Sequence, residues 1–108
     1  MIQELNDTNF EAAIRQIDTP ILIDFYGANC SPCKTLAEAF LKSSETFDGK
    51  VAFIQMDVEQ SSEICAKYLI RAIPTLVLVH DGKVIVKNTG AISHEEIHSM
   101  IKKSNVLQ

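Results

Sequence analysis

The chain has 108 residues, 46% of them apolar, and a formal net charge of −4. That length suits one domain, and the apolar share is enough to build a core without disulfide staples. The acidic balance argues against a nucleic-acid partner, and no apolar run approaches the roughly 18 residues of a membrane span.

The opening MIQELNDTNF holds neither a basic leader nor an apolar stretch of the secretory kind, so a cytoplasmic protein is expected. Three cysteines in that setting read as redox thiols or metal ligands. Residues 2–5 suit a short edge strand. Thr8-Asn9-Phe10-Glu11 has the spacing of a capping box and opens a helix with Phe10, Ile14 and Ile17 inward. Pro20 stops it. Residues 21–26 are apolar except for Asp24 and read as a buried strand bounded by Pro20 and Gly27. Cys30-Ser31-Pro32-Cys33 follows, and a helix is expected from about Cys33 into the mid-forties. Leu36, Ala37, Phe40 and Leu41 form its inner side, with Phe47 beyond. Two thiols therefore sit where a strand hands over to a helix N-terminus. Unpaired N–H groups and the helix dipole make a thiolate easiest to form there.

Asp48-Gly49 marks a turn, and residues 51–56 form another buried strand ending at Asp57. A third helix is expected over 60–69, with Ile64, Tyr68 and Cys65 facing the core. Pro74 opens the strand 75–79, the most β-rich run of the chain. Asp81-Gly82 is a hairpin signal, so residues 83–87 should pair antiparallel with that strand until Gly90 breaks it. Ser93-His94-Glu95-Glu96 is a second capping box, starting a helix that buries Ile97, Met100 and Ile101. Residues 104–108 are expected to fray. The order β-α-β-α-β-α-β-β-α implies an α/β fold, a mixed five-stranded sheet with four helices on its two faces.

With Cys30-Ser31-Pro32-Cys33 on that junction, the chain resembles the thioredoxin family. Asp24-Phe25 matches the strand before that family's active site, and Lys34 follows the second cysteine. Ile70-Arg71-Ala72-Ile73-Pro74-Thr75-Leu76 is similar to the loop into its cis-proline strand. Asp81-Gly82 and Gly90-Ala91 match its hairpin and closing glycine. The resemblance implies a single thioredoxin-like domain over residues 1–108. It departs in the WCGPC motif, where Asn29 and Ser31 replace tryptophan and glycine. Tyr26 stands for a second tryptophan and Glu38 for a helix proline. Phe53 is taken as the counterpart of the lysine that neighbours the buried aspartate.

What the resemblance implies is thiol–disulfide exchange. Cys30 would be the exposed nucleophile and Cys33 the more buried resolving thiol, the two forming a redox-active disulfide. Asp24 is a charge in an apolar strand: either a buried proton acceptor for Cys33 or a strand-end residue facing water. Lacking a cation from Phe53, its pKa should be raised. Pro74 would be cis and leave the backbone of Ile73 free to pair with an extended client. Asn29, Ser31, Pro32, Ile73, Ala91 and Ile92 would form the docking surface. The competing reading of the cysteines, half a zinc site, lacks a second CxxC. Cys65 reads as a core thiol, and His94 and His98 as solvated residues with no third metal ligand. The family implies reduction of client disulfides by a monomer that binds no cofactor. NADPH would enter indirectly, through a flavin-containing thioredoxin reductase. Two alternatives are a specialised protein with a dedicated client or non-standard reductase, and a non-catalytic binding module.

Overall fold

A computed structural model describes residues 1–107. Its strands are β1 (Ile2–Leu5), β2 (Ile21–Tyr26), β3 (Ala52–Asp57), β4 (Thr75–His80) and β5 (Lys83–Thr89), joined in one sheet in the order β1-β3-β2-β4-β5. β3 runs parallel to both β1 and β2, whereas β4 is antiparallel to β2 and to β5. The helices are α1 (Phe10–Ile14), α2 (Ser31–Thr46), α3 (Ser62–Lys67) and α4 (His94–Lys103), with a 3-10 turn at Val58–Gln60. This is the mixed five-stranded α/β sheet expected from the pattern.

β2 is central and covered on both faces, which is why its apolar run does not alternate with polar residues. Side chains still alternate between the faces. Leu22 shares one face with Phe53, Leu76 and Leu78, packed under Leu36 and Phe40 of α2 and Ile97 and Ile101 of α4. Ile21, Ile23 and Phe25 share the other with Ile54, Met56 and Val77, packed under Phe10 of α1 and Ile64 of α3.

Several local expectations change. The Thr8 capping box does not form: the N-cap of α1 is Asn9, which makes no side-chain cap bond. The turn before the helix is tied instead by the Asn9 amide oxygen accepting from the Asn6 N–H at 2.8 Å and that of Asn6 from the Thr8 N–H at 2.9 Å. α2 begins at Ser31, two residues earlier than expected. Leu41 is 52% exposed, and the inward positions beside it fall to Ser43 and Ser44. Ser43 Oγ lies 3.0 Å from His94 Nδ1 and ties α2 to α4. α3 is shorter than expected, and its first turn is capped from far away. The Asp7 carboxylate accepts from the N–H groups of Glu63 and Ile64 at 2.9 and 3.0 Å. The capping box of Ser93 and Glu96 forms as expected, at 3.0 and 2.9 Å. Met100 is only half-buried. Residues 104–107 are not frayed, because Val106 packs into the core under α4. Residue 108 of that expected tail lies outside the described residues.

Candidate active site

β2 ends at Tyr26, and the chain crosses Gly27–Asn29 before α2 begins. Asn29 has φ 55°, the left-handed region that asparagine tolerates better than most side chains. Cys30 is the N-cap of α2, so both cysteines of the motif belong to the first turn. The Cys33 N–H donates to Cys30 Sγ at 3.2 Å, the hydrogen bond that a capping oxygen usually accepts. A sulfur held there faces the positive end of the helix, which stabilises negative charge on it. Cys30 and Cys33 are joined by a disulfide with a Cα–Cα distance of 5.2 Å. Cys30 is half-buried and Cys33 only 4% exposed, so one sulfur is offered outward and the other is sheltered. Asn29, Ser31 and Pro32 are exposed around the pair.

Asp24 is 0% exposed, which removes the reading of a strand-end residue facing water. It lies two residues beyond Leu22, on the same face of the strand, and therefore points to the side covered by α2, the helix that carries Cys33. Neither carboxylate oxygen has a partner in good hydrogen-bond geometry, although the Gln55 side chain lies close enough to interact with it. Burial pushes the carboxyl up to about 7; nearby Gln55 offsets part of this, and the Glu4 carboxylate adds to it. The expected neighbour is corrected here. Phe53 pairs with Leu22, and Gln55 is the residue opposite Asp24. Gln55 and Glu4 were not singled out from the sequence, since the register between parallel strands is not written in either strand alone.

The Ile73–Pro74 peptide is cis, and Thr75 directly after it pairs with Phe25. Ile73 reaches back to the loop before the cysteines: a Cβ added at Gly27 would lie 2.6 Å from Ile73 Cδ1. The Gly90 N–H donates to the Pro74 carbonyl at 2.8 Å and brings Ala91 to the same end of the sheet. Two open clefts flank this region. Ala91 and Ile92 line one of about 350 Å³ with Thr35, Glu38 and Ala39 of α2. Ile73 lines another of about 500 Å³ with Val58, Cys65, Ile70 and Arg71. Cys65 is thus half-buried, packed against the core on one side and lining a cleft on the other, and burial first, then Asp7, raises its pKa.

A cleft of about 590 Å³ lies at the opposite end of the sheet, between Pro20, Lys50, His80 and Lys102. The rings of His94 and His98 are 6.4 Å apart. Among the described residues no group of three or more His, Cys, Asp or Glu side chains is placed to hold a metal ion, and no helix is long and apolar enough to cross a membrane.

The Thioredoxin family model matches residues 1–103. Thioredoxin C-2 of Corynebacterium nephridii is 33% identical over 103 residues, covering 95% of each chain. The thioredoxin of Haemophilus influenzae is 32% identical over 102 residues, covering 94% of this chain and 95% of its own. A crystal structure of chloroplastic thioredoxin z superposes with a TM-score of 0.84 at 24% identity, over 95% of this chain and 93% of that one. The last likeness is one of fold.

Proposed function

The chain belongs to the thioredoxin family and is a protein dithiol–disulfide oxidoreductase; from that premise we propose that it runs as a reductant of client-protein disulfides. Cys30 is the nucleophile, Cys33 the resolving thiol, Asp24 the proton acceptor, and Pro74 holds the client strand. The observation that carries this reading is the sulfur of Cys30 at the N-cap of α2, accepting the Cys33 N–H, with Cys33 bonded to it.

In the reduced protein the Cys30 thiolate attacks one sulfur of a client disulfide and expels the other, which takes a proton from water. Cys33 S–H gives its proton to Asp24 and attacks Cys30. The bond between Cys30 and the client breaks, and its electron pair leaves on the client sulfur, which is protonated in turn. Two electrons have moved from the dithiol to the client. An acceptor whose pKa lies near the working pH suits this step. Asn29, Ser31, Pro32, Ile73, Ala91 and Ile92 form the docking surface, and the client pairs with the backbone of Ile73 by strand addition.

The cycle closes through a thioredoxin reductase that draws on NADPH, in a reducing cytoplasm, with one domain acting as a monomer and no cofactor of its own. Insulin reduction coupled to NADPH oxidation by a thioredoxin reductase tests this. The wild type should turn over, Cys30→Ser should be inactive, and Cys33→Ser should accumulate a mixed disulfide through Cys30. Turnover undiminished in Cys30→Ser would remove the assignment. Reduction by dithiothreitol but not by any thioredoxin reductase would instead point to a different electron donor.

A further inference from the structure

Asp24, Gln55 and Glu4 form one row across three adjacent strands. Gln55 pairs with Asp24 on one side and with Glu4 on the other, so all three project from the same face of the sheet. The row runs from the buried interior to the exposed edge strand β1. An exposed glutamate on an edge strand would ordinarily leave its charge in water. Here the Tyr26 hydroxyl, also on that face, donates to Glu4 Oε2 at 2.7 Å.

We propose that Glu4 is a positioning residue for the Cys33 proton transfer, clamped by the Tyr26 hydroxyl so that its carboxylate faces Asp24 across Gln55. This rests on the role of Asp24 given above. A fixed negative charge opposes the ionisation of Asp24 and makes it a better acceptor for the Cys33 proton. Gln55, the polar side chain beside Asp24, is neutral and offsets only part of the effect. The remaining neighbours supply no cation either: Leu76 faces it from β4, Leu36 and Phe40 pack over that face from α2, and Asp57 follows on β3 opposite Tyr26. Burial, and then the bond to Glu4, also hold the Tyr26 proton more firmly than usual, so the clamp persists through the range in which Asp24 titrates. The transfer conserves charge and atoms: the proton leaves Cys33 Sγ for an Asp24 oxygen, and Glu4 and Tyr26 exchange nothing.

The test is a ¹³C NMR titration of the Asp24 carboxyl in the oxidised protein, beside the pH profile of single-turnover disulfide reduction. The proteins compared are wild type, Glu4→Gln, Tyr26→Phe and the double variant. Two strand spacings separate the charges, which predicts a fall of about half to one pH unit in the Asp24 midpoint of Glu4→Gln. Tyr26→Phe should shift it in the same direction by less, and the double variant no further than Glu4→Gln alone. The limb of the rate profile that reports Asp24 should move with the midpoint. An unmoved midpoint in Glu4→Gln, or shifts that simply add, would overturn the clamp. A midpoint that moves while the rate profile stays put would overturn the role of Asp24, and this inference with it.

Discussion

Replacing Asp24 by asparagine tests how much the fold gives up to keep this carboxyl buried. In an unfolded chain Asp24 ionises around pH 3.8, whereas in the folded protein it keeps its proton to about pH 7. Below pH 3.8 both states are protonated and the group is neutral with respect to stability. Between the two values folding takes up a proton, so stability falls as pH rises through that window. Above about pH 7 the full penalty applies. A shift of about three pH units at about 1.4 kcal/mol each is about 4 kcal/mol, and about 3 kcal/mol of it falls between about pH 4.5 and 8.5. An asparagine side chain carries no charge, so the pH-dependent penalty goes with the carboxyl while a polar group stays beside Gln55. Denaturant unfolding of the oxidised wild type and Asp24→Asn, measured at several pH values, gives the difference directly. The variant should gain about 3 kcal/mol on the wild type as pH rises from about 4.5 to about 8.5. A difference that is flat across this range would refute the burial argument, whatever its absolute size.

Three further outcomes follow from single contacts. Asp7→Ala uncaps α3 and should cost about 1–2 kcal/mol in denaturant unfolding, while disulfide reduction per folded molecule is unchanged. Phe40→Ala empties a fully buried site under α2 and should cost about 3–5 kcal/mol by the same measurement. Gly27→Ala crowds the flexible end of Ile73 and meets Val58 only at ordinary contact distance, so it should change stability by less than about 1 kcal/mol. By displacing Ile73 it should raise KM for protein clients about threefold and leave kcat in place.

The apolar β2 run, the Asp81-Gly82 hairpin and the Ser93–Glu96 capping box were legible because each is a local pattern that dictates its own geometry. The cysteine pair was legible for the same reason, since strand, loop and helix start are contiguous in the chain. What failed depended on partners remote in sequence. Asp7 caps a helix more than fifty residues away, and no spacing rule links it to Glu63. Leu41 reads as inward by helical period, yet it stays exposed while Ser43 turns inward and hydrogen-bonds His94 of α4. The family pattern points to Phe53 as the neighbour of Asp24, whereas the pairing of β2 with β3 sets Gln55, two residues on, opposite it. Strand period names the face of a residue but not its partner. Glu4 stayed hidden on the same ground, as an ordinary surface charge until the register brought it into line.

The most direct test of the account is the rate at which iodoacetamide alkylates the reduced protein near neutral pH, with peptide mapping to locate the label. The N-cap position and the Cys33 N–H predict that Cys30 is modified first, and faster than a free cysteine in an unstructured peptide. Prior oxidation should abolish that labelling by closing the bond to Cys33. If Cys30 reacts no faster than the free thiol, and oxidation leaves it open to the reagent, the exchange mechanism is contradicted.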